Sequence, residues 1–119
     1  LETAGASGAP QSEQIVGTWE ISEEGEERLL RFSRDGTFNF VNFSGNYSEN
    51  GTYRLKGSVL IQDGNGVEGS GARQHRANSY EYGSGPGQWE VSEMNLSFHA
   101  ESGAYYRRVS CLGPWVRSR

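Results

Sequence analysis

The sequence predicts an all-β fold, an antiparallel up-and-down meander of about eight or nine short strands closed into a small barrel. Three observations carry this reading. From Ile15 onward, apolar and polar residues alternate in short runs, the period-two pattern of strands with one buried face. Gly, Asn, Asp and Ser separate the runs, and Asp35-Gly36 is among the strongest short hairpin signals. Helical spacing is not sustained anywhere along the chain. Closure is preferred to an open sheet because it removes two exposed strand edges.

The elements follow in order. Residues 1–14, LETAGASGAPQSEQ, are small and polar and read as a flexible leader or linker, with the barrel expected over 15–112 and a tail over 113–119. The first strand, about residues 14 to 22, carries IVGTWEI, with Ile15, Trp19 and Ile21 on one parity, and it ends at the acidic turn Glu23-Glu24-Gly25-Glu26-Glu27. The second, 28–33, turns Leu30 and Phe32 inward. The third places Phe38 and Phe40 inward and runs into a Ser/Gly/Asn-rich loop. The fourth, GTYRLK, offers Tyr53 and Leu55, and Lys56-Gly57 turns into the fifth, SVLIQD, with Val59 and Ile61 expected inward. Asp63 to Gly71 holds four glycines and is expected to be a mobile loop at the barrel rim. The sixth strand, about 73 to 82, is mostly polar, and only Tyr80 and Tyr82 look packable. Trp89 and Val91 mark the seventh, and Met94, Leu96 and Phe98 the eighth. Ser102-Gly103 turns into the ninth, AYYRRVS, where Tyr105 is expected inward.

Bulk properties bound the function. A length of 119 residues fits one domain. Hydrophobic residues make up only 34%, so five Phe, six Tyr and three Trp must carry much of a small core. The net charge is −4, and Lys and Arg are scattered except for Arg107, Arg108, Arg117 and Arg119, which gives nucleic-acid binding no support. No apolar run approaches the roughly 18 residues of a membrane-spanning helix, although a lipid tether upstream of residue 1 is compatible with the polar leader. The single cysteine, Cys111, excludes an internal disulfide and Cys-rich zinc sites.

Gly17-Thr18-Trp19 in the first strand matches the Gly-x-Trp signature of lipocalin-like barrels, the calycin group. Arg107 or Arg108 in the last strand matches the Arg that packs across that Trp. The middle is similar to the small lipocalin-like domains of bacterial exported proteins: Phe32-Ser33-Arg34-Asp35-Gly36-Thr37-Phe38, then Gly51-Thr52-Tyr53, Trp89-Glu90-Val91 and Tyr105-Tyr106-Arg107-Arg108-Val109. The resemblance covers about residues 15 to 110; the chain is shorter than full lipocalins and lacks the disulfide that many of them carry. It implies a barrel of an exported protein, outside the cytoplasm, secreted, periplasmic or tethered to the envelope. A guanidinium over an indole face contributes about 0.5–2 kcal/mol, so the pair makes physical sense as an end cap. Arg107 is the first choice if Val109 faces in, and a bulge favours Arg108.

Chemistry is sparse. No nucleophile motif, phosphate loop or metal-binding helix is present, no cofactor is implied, and an enzyme is not expected. Asp63 to Gly71 lacks the Lys of a phosphate loop and the closing Glu of a calcium loop. His75 and His99 are too few to specify a metal site. Asn-x-Ser/Thr triplets begin at Asn42, Asn46, Asn50 and Asn95, residue types that tight turns also select.

Two readings of the barrel therefore stand. In the first it is a non-catalytic module holding a small apolar or amphipathic ligand in its mouth, with Phe38, Phe40, Tyr53, Tyr80, Tyr82, Trp89, Phe98 and Tyr105 as candidate contacts and Trp19 with Arg107 or Arg108 as the structural pair. In the second the lumen is solid and the surface engages a protein partner, as in barrels that inhibit proteases. A cavity on the order of 300 Å³ separates them.

Overall fold

A computed structural model describes residues 12–23, 26–98 and 105–110. One turn of helix, α1 (Ser12–Ile15), precedes nine strands. These are β1 (Gly17–Glu23), β2 (Glu26–Phe32), β3 (Thr37–Asn42), β4 (Tyr47–Lys56), β5 (Val59–Glu68), β6 (Gln74–Glu81), β7 (Trp89–Val91), β8 (Asn95–Phe98) and β9 (Tyr105–Ser110). They form a single sheet in the order β6-β5-β4-β3-β2-β1-β9-β8-β7, curled into a nearly closed, up-and-down antiparallel barrel. The last strand, β9, pairs with the first, β1.

Its one seam follows from counting. Strands that alternate direction around a ring must be even in number, so a ring of nine has one neighbouring pair running the same way. Here β6 and β7 are that pair, and the only backbone bridge between them among the described residues, Tyr82 to Trp89, is parallel. The chain crosses the seam through residues 82–88, where Gly83 (φ 157°) and Gly87 (φ 77°) take backbone conformations that side chains disfavour. Side chains span the rest of the gap: Tyr82 packs edge-on against Trp89 at 5.3 Å, and Tyr80 meets Phe98 at 4.9 Å.

The half of the barrel around Trp19 is solid. Ile15, Trp19, Phe32, Leu60, Trp89 and Leu96 are fully buried there. Tyr53 stacks edge-on against Phe32 at 4.7 Å, and its hydroxyl donates to the Ser33 carbonyl at 2.7 Å. The Trp19 indole donates to the Ile15 carbonyl at 2.9 Å, which ties α1 across the barrel end.

Several sequence expectations are corrected. The first strand begins at Gly17, and Ser12 to Gln14, expected in the leader, belong to α1. In β5 the inward residue is Leu60, not Val59 or Ile61. Gly57 (φ 63°) and Ser58 form a two-residue turn, so Leu55 pairs with Leu60 and Tyr53 with Gln62, and paired residues share a face. The run Val59-Leu60-Ile61 is apolar on both parities, so the turn, and not hydrophobicity, sets the register. Asp63 to Glu68 is strand rather than loop, and β4 begins at Tyr47. Gly51 pairs with Gly64, where an added Cβ would lie 2.6 Å from the Asn50 carbonyl oxygen and 2.9 Å from Phe38 Cζ. These glycines are interior positions whose space neighbouring groups already occupy. In β9 the buried residue is Tyr106, while Val109 is exposed. The Tyr105 side chain, His99 and the 113–119 tail lie outside the described residues.

Arg108, and not Arg107, covers Trp19. Its guanidinium sits 4.2 Å from the indole centroid, and the register of β9 on β1 shifts between Arg108 and Ser110. Arg107, one residue earlier and of opposite parity, is exposed.

Candidate functional site

Away from Trp19, the barrel opens toward the β3–β4 and β5–β6 turns. Here the lumen is not filled: a recess of about 280 Å³ sits among β2, β3, β4, β5, β6, β8 and β9. Leu30, Phe38, Phe40 and Phe98 give it an apolar wall, and the rings of Tyr47, Tyr80 and Tyr106 complete an aromatic lining. Phe40 and Tyr47 lie 6.1 Å apart, and Phe98 meets Tyr106 edge-on at 6.2 Å.

Strand parity positions the polar residues. Tyr47, Glu49, Gly51 and Tyr53 alternate on the inner face of β4, as do Leu60, Gln62, Gly64 and Gly66 on β5. An added Cβ at Gly66 would run into the Tyr47 hydroxyl, so this glycine is where the tyrosine ring lies across the wall. Arg28 on β2 and Arg76 on β6 reach the recess from different sides. A hydrogen-bond chain links three of these groups: Arg76 Nη1 donates to the Tyr47 hydroxyl at 3.2 Å, and that hydroxyl donates to Glu49 Oε1 at 2.9 Å. Arg76 also lies over the Tyr47 ring, 5.6 Å from its centroid.

The phenols are held neutral. Burial, reinforced by Glu49, raises Tyr47 and Tyr80 above the ordinary tyrosine range, with Arg76 opposing weakly. Both are therefore hydrogen-bonding hydroxyls at neutral pH rather than bases. Among the described residues, three charged side chains line the recess, Arg28, Glu49 and Arg76. The arrangement suits holding a polar group over an aromatic floor. No nucleophile with an adjacent base is among the described residues that line it.

Of the residues expected to contact a ligand, Phe38, Phe40, Tyr80 and Phe98 line the recess. Tyr53, Tyr82 and Trp89 do not. Tyr53 is in the solid half, while Tyr82 and Trp89 close the seam, where the Trp89 indole donates to the Ser58 carbonyl at 3.2 Å. Arg28, Tyr47, Glu49, Gln62, Arg76, Asn78 and Tyr106 are lining residues the sequence reading missed. Extending the Tyr53 parity back through YSENG would have found Tyr47 and Glu49.

A second recess, about 270 Å³, lies at the Trp19 end beside Val16, Arg34 and Glu93. Val16 is its one aliphatic wall, and the Arg108 donors there are committed to backbone carbonyls of Gln14, Val16 and Glu93 at 2.6–2.9 Å. It offers a ligand little. On the outer face of β5 and β6, His75 Nε2 contacts Asp63 Oδ1 at 2.6 Å, both well exposed. No group of three or more His, Cys, Asp or Glu side chains suited to a metal ion occurs among the described residues. Asn42 Oδ1 accepts from the Gly45 amide at 3.0 Å and Asn46 has φ 55°, so two of the Asn-x-Ser positions serve the β3–β4 turn. Comparison with protein-family models, curated proteins and solved structures returns no match.

Proposed function

We propose that the chain is a non-catalytic binding module that takes one small amphipathic molecule into the open end of the barrel. The observation that supports it is the recess of about 280 Å³ with an aromatic floor and a polar rim. It falls just below the range usual for ligand pockets, which begins at about 300 Å³. A cavity of about 150 Å³ is enough for benzene, so this one takes a single ring with a short substituent. It is too small to enclose a long acyl chain. The calycin-type pattern of Gly17-Thr18-Trp19 with Arg108 supports a lipocalin-like relationship, and with it an exported protein.

Calorimetric titration of the full chain with 4-propylphenol and with laurate tests this reading. The account expects saturable one-site binding of the phenol and none of the acyl chain within the lumen. Absence of saturable binding of the phenol at millimolar concentration would overturn it. Quenching of Trp19 and Trp89 is a poor reporter, because both are fully buried outside the recess.

A second reading, a protein-interaction module, draws on β6. Among the described residues this strand is paired along one edge only, apart from the bridge at Tyr82. An unpaired edge is a template for a partner strand.

A further inference from the structure

We infer that the partner is an extended segment of another protein, added as a strand to the β6 edge with one aromatic side chain in the recess. This rests on the recess taking a ring, as proposed above, and joins it to the edge through strand parity. Three observations carry it.

The first is the edge. The Tyr82 amide donates to the Ser58 carbonyl at 2.9 Å, while the Gly83 amide turns the other way, to the Trp89 carbonyl at 2.8 Å. Along an antiparallel pair this alternation continues, so even-numbered residues of β6 bond to β5 and odd-numbered ones face away from it. His75, Ala77 and Ser79 therefore present their N–H and C=O groups at an edge where, among the described residues, the sheet ends. All three are exposed, and neither a proline nor a bulge interrupts β6 in its pairing with β5. Such a row is the template that an added strand uses.

The second is the direction of the added side chains. On β6, Arg76, Asn78 and Tyr80 line the recess. Paired residues share a face, so a partner residue opposite Asn78 also points into the barrel, on the open side of the contact between Tyr80 and Phe98. The recess of about 280 Å³ exceeds the roughly 150 Å³ that holds benzene, so it takes a phenylalanine ring while the partner's backbone stays at the edge.

The third is charge. Arg73 stands exposed just before β6, at the open end, and Glu81 stands exposed at the end of the strand, by the seam. Arg73 Nη1 donates to the Asn65 carbonyl at 3.4 Å, and Glu81 Oε2 accepts from the Ser58 hydroxyl. Both of these partners are neutral, so the two charges are left to be met across the edge. An antiparallel strand that begins with a base and ends with an acid meets both.

The test titrates the full chain with the peptide acetyl-Lys-Thr-Thr-Phe-Thr-Thr-Thr-Thr-Glu-amide, whose Phe falls opposite Asn78. Its companions are a version with Ala in place of Phe, a version N-methylated at the threonine after Phe, and 4-propylphenol. The parent peptide is expected to bind saturably, to displace 4-propylphenol, and to slow amide exchange at His75, Ala77 and Ser79. Loss of the ring should weaken it by more than about tenfold, because buried aromatic anchors carry most of an interface's energy. The N-methyl group and Ala77→Pro each remove one edge hydrogen bond and should weaken the peptide about fivefold to tenfold. A proline at 77 leaves the bonds to β5 in place, and unchanged 4-propylphenol binding shows that the variant is folded. If it does not fold, the N-methylated peptide decides. Binding that needs the ring but ignores both backbone changes overturns strand addition and leaves the ring site standing. Binding of 4-propylphenol without the peptide overturns this inference alone, and absence of both overturns the recess as well.

Discussion

Arg108 joins three segments of the chain that are far apart in sequence. Its guanidinium lies on Trp19 and donates to the carbonyls of Gln14, Val16 and Glu93, so it fastens α1 and the β7–β8 turn to the end of the barrel. Each charged hydrogen bond is worth about 1.5–3 kcal/mol before the cost of ordering the side chain, and part of each is exposed. Arg108→Ala should therefore destabilise the fold by about 2–3 kcal/mol, with Arg107→Ala within about 0.5 kcal/mol of wild type, as read by urea denaturation. Arg108→Lys should recover only part of the loss, because a point charge cannot serve three carbonyls and the ring together. The pairing of an arginine with Trp19 was legible in the sequence. Which arginine it would be was not, because Tyr105-Tyr106-Arg107-Arg108 reads alike on both parities, and only the inward position of Tyr106 brings Arg108 to the same face.

Tyr53 carries a second residue-scale prediction. Burial, assisted by Asp35, pushes its hydroxyl up to about 12. A folded-state value above the unfolded value of about 10 means stability that is fully present below pH 10 and lost as pH rises toward 12. Tyr53→Phe should flatten the fall in stability between those limits. Its cost near neutrality should be about 1 kcal/mol, since the Ser33 carbonyl keeps its bond from the Gly36 amide at 3.1 Å. Denaturation midpoints across pH 8–12 for both proteins check this.

At the scale of elements, legibility follows what each part of a strand faces. Where β1, β2 and β3 face the solid half or the apolar wall of the recess, inward residues are apolar, and the alternation of Trp19, Leu30, Phe32 and Phe38 was readable. Where β4, β5 and β6 pass the recess, inward residues face a polar cavity, so Tyr47, Glu49, Gln62, Arg76 and Asn78 carry no apolar period. Glycine at 64 and 66 then looks like a loop signal although the backbone is paired strand. The candidate site was thus hidden by the property that makes it a site. Gly64→Ala tests the packing account. The new methyl group meets the Asn50 carbonyl and the Phe38 ring, so a loss of about 1–3 kcal/mol is expected by denaturation, together with weaker ligand binding as Phe38 is displaced into the recess.

For the molecule as a whole, nine strands make a barrel whose solid end and open end differ in packing and whose seam is fixed by parity. The seam should be its least protected part. Backbone amides on the outer edge of β6, beyond the Tyr82 bridge, should exchange with solvent well before those of β2 and β3, which are paired on both sides. Hydrogen exchange followed by NMR reads this directly, and uniform protection around the ring would contradict a seam at β6 and β7.

The most direct test of a ligand site at the open end is an aromatic-region NMR titration of the full chain with 3-phenylpropionate. The account predicts saturable shifts at Phe38, Phe40, Tyr47, Tyr80, Phe98 and Tyr106, with Trp19 and Tyr53 unmoved. Shifts centred on Trp19 and Arg108, or no saturable shifts at all, would contradict it.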